Sequence, residues 1–283
     1  MTETPVGFGP GEGLIGIVTS PTRTAGPFER TACLMFNAGV VPRCGPHRIN
    51  VKLARWLADD GLLSMRFDLS GQGDSRAAAA ATMDYRDQAV HDIRAAMDHL
   101  ALVHGIERFL LFGVCSGAVN AYWAALADPR VAGILMVDGI WYRSGWTRWV
   151  RHWKRFRAGS WSTVRDALQR RVARLLRRNG KPGAQQVGLF SDDESAANPA
   201  PQAFCSALDG LVARGVSVHL VYTGSVLEYY SYGRQFRDVF RGQAFLRSVG
   251  CDFRPDIDHT FGSLETQRKM ADLVREWAAA VRR

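Results

Sequence analysis

Residues 110–129 read LLFGVCSGAVNAYWAALADP, and no other stretch narrows the fold of this chain as much. It opens as an apolar run of strand length. From Ser116 onward it has the composition of a helix, stopped by Pro129. Between the two, Gly113-Val114-Cys115-Ser116-Gly117 must turn the chain sharply. A side chain doing chemistry from such a turn needs small neighbours two positions to either side, because bulk there would collide with the crossing backbone. Centring on Cys115 gives Gly113 and Gly117; centring on Ser116 gives Val114 and Ala118, and valine fits poorly. Cys115 is therefore the predicted nucleophile. The start of a helix adds the positive end of its dipole, which favours an anionic sulfur. The plain alternative is an inert thiol in a tight glycine turn.

The surrounding chain alternates strands and helices. "GLIGIVTSP", "TACLMFNAG", "LSMRFDLSG", "RFLLFGV", "VAGILMVDG", "VSVHLVYTG" and the short "CDFRPD" read as strands. Helices are predicted over "HRINVKLARWLADDGL", "MDYRDQAVHDIRAAMDHLALVHG", "SGAVNAYWAALADP", near 201–214, near 231–248 and over "LETQRKMADLVREWAAAVRR". In the second helix Ala89, Ile93, Ala96, Met97 and Leu100 share one face. Apolar strands alternating with helices predict an α/β fold, a mostly parallel sheet covered on both faces. The first residues show no basic, apolar leader pattern, and no apolar run is long enough to span a membrane. Five cysteines, an odd number without C-x-x-C spacing, argue for reduced thiols and a cytoplasmic setting rather than disulfides or zinc. No metal or cofactor is expected.

A thiol nucleophile needs a base, and in this architecture the order along the chain is nucleophile, acid, histidine. His259, in "RPDIDHTFGS", lies between the last short strand and the last helix, where such a fold presents its base. The other histidines fit less well: His47 opens the first helix, His91, His99 and His104 belong to the helix before the turn, His152 lies in a basic stretch and His219 in a strand.

With these residues in view, the chain resembles α/β-hydrolases of the exosortase-system-associated type. The resemblance rests on "NAGVVPRCGPHR" (37–48), "LARWLADDGLLSMRFDLSGQGDS" (53–75), "GVCSGA" (113–118) and "DHTF" (258–261), and covers nearly the whole chain. It implies cysteine at the turn, G-x-C-x-G. It also places Arg43, Gly45, His47 and Arg48 in a recurring pattern that shapes the loop before the first helix, with Asp68 and Asp74 as turn and packing residues. Two backbone donors would hold an oxyanion: the amide of Ser116, and that of Val40 or Gly39 in the loop after "LMFNAG".

The acid departs from the family pattern. The resemblance implies an Asp shortly after "VHLVYTG", but the alignment puts Val226 there. Asp138, after the preceding strand, is the first candidate; Glu228, two residues beyond Val226, is the second; a Cys–His dyad without an acid is the third.

Charge marks one segment apart. Residues 141–181 hold 13 Lys/Arg against one acid, a balance of +12, while the rest of the chain carries 23 against 26, or −3. The same segment holds five of the eight tryptophans. This divides the chain into a core, 1–140 and 201–283, and a basic, Trp-rich helical cap, 141–200, with Trp141, Trp146, Trp149 and Trp153 as substrate-facing candidates. Such a charge calls for an anionic partner. No nucleic-acid motif accompanies it. An acyl ester or thioester substrate fits best, carried by an acidic acyl carrier protein or coenzyme A; peripheral contact with an anionic membrane is the nearest rival. The functional expectation is a Cys–His–acid thioesterase, esterase or acyltransferase. The alternative is a non-catalytic hydrolase-fold protein that docks an acidic partner or membrane through its cap.

Overall fold

In a computed structural model the described residues are 1–23, 29–78, 83–147 and 198–281. Eight strands form one sheet: β1 (Thr2–Phe8), β2 (Leu14–Ser20), β3 (Thr31–Met35), β4 (Leu63–Phe67), β5 (Arg108–Val114), β6 (Val131–Val137), β7 (Ser217–Thr223) and β8 (Gly250–Arg254). Their order is β1-β2-β4-β3-β5-β6-β7-β8. β1–β2 and β2–β4 pair antiparallel, and all the others pair parallel. The helices that cover it are α1 (Ile49–Asp59), α2 (Tyr85–His104), α3 (Ser116–Ala127), α4 (Pro201–Ala213), the short α5 (Gln235–Val239) and α6 (Leu264–Ala280).

Side chains alternate along the central strands, so each face receives its own core. Leu110 and Phe112 of β5 pack with Leu53 of α1 and Val274 and Trp277 of α6 on one face. Phe109 and Leu111 turn to the other, against Ile93 and Met97 of α2, Ala121 of α3 and Phe204 of α4. This is the α/β-hydrolase architecture, and it puts the carboxyl ends of β5, β6 and β7 side by side at one edge, where open α/β sheets bind ligands. No helix among the described residues is long and apolar enough to cross a membrane.

Two elements differ from the sequence reading. β1 was not expected, because Thr2–Phe8 is an exposed edge strand with Pro5 and Gly7 and no apolar run to reveal it. The helix expected near 231–248 is broken: α5 ends at Val239, Gly242 takes φ +88°, and a separate 3₁₀ turn follows at Ala244–Arg247.

The expected boundary at 140/141 falls inside packed structure. Trp141 is buried with its ring 4.9 Å from that of Tyr229. Its carbonyl accepts from Asn198 Nδ2 at 2.9 Å, and Tyr142 Oη donates to the Pro199 carbonyl at 2.6 Å. Residues 141–142 and 198–199 are therefore tied together. Most of the predicted cap, 148–197, lies outside the described residues.

Candidate active site

Cys115 stands between β5 and α3 with φ +57° and ψ −125°. A non-glycine residue held in that region stores strain, and it persists only where the surroundings fix it. Here they do. The Cys115 amide donates to the Val137 carbonyl at 2.9 Å, and its carbonyl accepts from the amides of Ala118 and Val119. A methyl added at Gly113 would run into the Gly117 carbonyl, and one at Gly117 would lie 2.5 Å from the Asn37 carbonyl. That is the physical reason for the two glycines.

Asp138 follows β6 directly, also at positive φ (+51°), and is 1% exposed. His259 Nδ1 lies 2.8 Å from its Oδ2. Thr223, at the end of β7, donates twice to the same carboxylate: its amide to Oδ1 at 2.8 Å and its hydroxyl to Oδ2 at 2.6 Å. The His259 backbone is held as well, since its amide donates to Ser225 Oγ at 2.9 Å. The neighbouring Asp258 fastens the loop by accepting from the Thr260 and Gly262 amides, each at 3.0 Å. Cys115 hydrogen-bonds the same imidazole. Burial opposes a charge on His259, but the bonds and charges of Asp138 and Cys115 outweigh it and push its pKa up to about 9.

The structure thus brings together Cys115, His259 and Asp138. It does not bring in Glu228, which is exposed in the turn after β7. The carboxylate at His259 Nδ1 is that of Asp138: the parallel register sets Val137 beside Val221, so residue 138 leaves β6 level with Tyr222 and its side chain reaches Thr223 and the His259 ring. Val226, where the resemblance implies an acid, is fully buried.

Ser116 is the first residue of α3, so its amide has no acceptor a turn earlier in the helix. Its hydroxyl accepts from the Gly39 amide at 2.8 Å. This corrects the expectation for Gly39: its N–H is engaged by Ser116, leaving Val40, 90% exposed on the same loop, as the second donor candidate. Below that loop Asn37 Nδ2 and the Arg43 amide both donate to Asp68 Oδ1, at 3.0 and 2.6 Å, and the Arg43 guanidinium pairs with Asp68 and Asp74.

A cleft of about 350 Å³ opens from Cys115. Trp141 lines it; Trp146, 61% exposed, is not among the described residues that do. Trp149 and Trp153 lie outside the described residues. No group of three or more metal-ligating side chains occurs among the described residues.

Sequence reasoning missed Thr223, Ser225 and Asp258. Asp258 had a local signal, an Asp followed by Thr and Gly at turn spacing. Thr223 had none, because its role exists only once β7 is paired with β6.

The family described as serine aminopeptidase, S33, matches residues 40–191, over half of the chain. No curated protein matches. Among solved structures, an α/β serine hydrolase without lid from Xanthomonas campestris is 13% identical, with a TM-score of 0.56, covering 99% of this chain and 94% of that one. The esterase domain of a Rhodothermus marinus protein is 15% identical (TM-score 0.55; 98% and 97% covered). An epoxide hydrolase from Vigna radiata is 16% identical (TM-score 0.55; 99% and 98% covered).

Proposed function

The chain belongs to the serine aminopeptidase S33 family of hydrolases, and on that premise we propose that it is an acyl-transfer hydrolase whose nucleophile is Cys115 in place of the serine that the family description names. The observation that carries this reading is the Cys115–His259–Asp138 line, with Asp138 2.8 Å from His259 Nδ1 and Cys115 hydrogen-bonded to the ring.

The Cys115 sulfur attacks an ester or thioester carbonyl carbon as its proton passes to His259, forming a C–S bond while the carbonyl oxygen becomes an oxyanion. The Ser116 and Val40 amides receive that oxyanion; removing one such donor costs about 3–4 kcal/mol in the barrier elsewhere. The bond to the leaving group breaks as the imidazolium donates its proton. Water, or an alcohol or amine acceptor, then gives its proton to His259, attacks the acyl-enzyme, and expels the sulfur. Asp138 fixes the ring tautomer and stabilises the imidazolium.

The +12 balance of residues 141–181 supports an anionic or carrier-bound acyl donor, such as an acyl group on an acidic carrier protein or coenzyme A. A thioester also suits a thiol nucleophile. The direct test is intact mass after incubation with acyl thioesters and activated esters. A covalent acyl adduct is expected on the wild type and on Ser116→Ala, and none on Cys115→Ala. An adduct that survives Cys115→Ala and disappears in Ser116→Ala would transfer the role to the serine.

A further inference from the structure

The cleft has a direction. Ser116, Val119, Asn120 and Trp123 line it from α3, at intervals of three and four, so one face of that helix forms its floor. With 1.5 Å of rise per residue, the floor runs about 10 Å from the nucleophile turn to Trp123. The opposing wall comes from the first turn of α2. The Arg86 guanidinium lies 4.9 Å from the Trp123 ring centre, and Asn120 Nδ2 donates to Tyr85 Oη at 3.3 Å. The two helices thus meet over the far end of the cleft. Both wall residues are about half exposed (Tyr85 at 53%).

The polar groups of this cleft are turned on one another. Arg86 is paired with Asp84 and Asp87, at 3.6 and 3.2 Å, and the Asn198 amide is committed to the Trp141 carbonyl. What remains for a ligand is the surface of Val119, Trp123, Trp141 and the Tyr85 ring. A charged tail would meet a guanidinium already balanced by two carboxylates; an uncharged apolar tail could lie against Val119, Trp123, Trp141 and the Tyr85 ring. The volume of about 350 Å³ lies at the small end for ligand pockets.

We propose that this groove holds the acyl chain of the substrate, that the chain is apolar and of medium length, and that the Arg86–Trp123 pair closes its far end and sets the longest chain accepted. This rests on the reading of Cys115 as the acylated residue. A longer chain must displace the indole and the guanidinium stacked on it.

The test compares kcat/KM for p-nitrophenyl butanoate, octanoate and palmitate. Octanoate is expected to exceed palmitate at least tenfold in the wild type, and Trp123→Ala should move that ratio at least tenfold toward palmitate. Arg86→Ala, which leaves the core untouched, should move it the same way by a few-fold and guards against a Trp123 variant that does not fold. Calorimetric binding of octanoic and dodecanoic acids to Cys115→Ala separates this inference from the chemistry. Tighter binding of octanoic acid, reversed on adding Trp123→Ala, supports the groove even if no acyl adduct ever forms on the wild type. An unchanged chain-length ranking in both Trp123→Ala and Arg86→Ala, or no binding of either acid to Cys115→Ala, overturns it.

Discussion

Two aspartates occupy equivalent stations in this sheet and do opposite things. Asp68 follows β4 and Asp138 follows β6, each one residue past its strand, and neither is more than 1% exposed. Asp68 is ringed by donors that do not exchange protons near neutral pH: the guanidinium and amide of Arg43, Asn37 Nδ2 and the Asp74 amide. Asp138 takes two bonds from Thr223 and one from His259, whose ring can lose its proton. The fold supplies the same buried carboxylate at two strand ends. On the proposed function, the partner decides whether such a carboxylate anchors a loop or serves a base.

The sharpest way to break this comparison is to neutralise each carboxylate in turn. Asp138→Asn should lower kcat/KM by about 10²–10⁴-fold, because the ring loses both its orienting acceptor and the charge that stabilises imidazolium. Asp68→Asn should act in the other currency: a loss of about 3 kcal/mol in denaturant-unfolding stability, from a guanidinium left against a neutral group, with kcat/KM falling less than tenfold. Equal activity losses in the two variants would abolish the distinction.

How much of this was legible beforehand follows from what each part depends on. The Cys115 turn was readable because its steric demand is local: two glycines, a strand before, a helix after. His259 was readable from order along the chain. Asp138 was one of three options, and nothing local ranked it with certainty, since the choice depends on β6 lying beside β7. Gly39 stood beside Val40 as a donor candidate, and its bond to the Ser116 hydroxyl, 77 positions away, is a tertiary contact that no local pattern shows. β1 escaped notice because an edge strand need not be apolar to pair. Glu228 stood at the right sequence distance for an acid but on an exposed turn, which spacing alone does not reveal.

A pH titration sharpens the comparison next. The pKa of His259 is raised from an ordinary value near 6.5 to about 9. A group with a raised native pKa contributes stability that is fully present below its unfolded value and is lost as pH climbs through the folded one. Unfolding free energy should therefore fall between roughly pH 6.5 and 9, by up to about 3 kcal/mol. Turnover should fall with an alkaline midpoint near 9, as the imidazolium that protonates the leaving group is lost. In Asp138→Asn that midpoint should drop toward 6.5, because burial remains and the larger of the two opposing contributions is gone, leaving only that of Cys115. In Asp68→Asn it should not move. A midpoint that ignores residue 138 would mean that Asp138 does not govern the ring.

The smallest expected effect concerns Thr223. Its hydroxyl and the His259 ring share one oxygen, Asp138 Oδ2, at 2.6 and 2.8 Å. The hydroxyl also accepts from the Ser225 amide at 3.3 Å, and Ser225 Oγ in turn holds the His259 amide. Acid, base and both backbone supports therefore close into one loop through this threonine. Thr223→Val keeps the shape and the amide bond to Oδ1 but removes the donor to Oδ2. Stability should fall by about 1–2 kcal/mol. With one fewer donor on the carboxylate, more of its charge falls on the imidazolium, so the alkaline midpoint should rise by a few tenths of a pH unit while kcat drops several-fold from looser orientation. Thr223→Ser should restore both. A purely structural threonine would lower stability and leave the midpoint where it was, and that single readout separates a residue that tunes the acid from one that only fills space beside it.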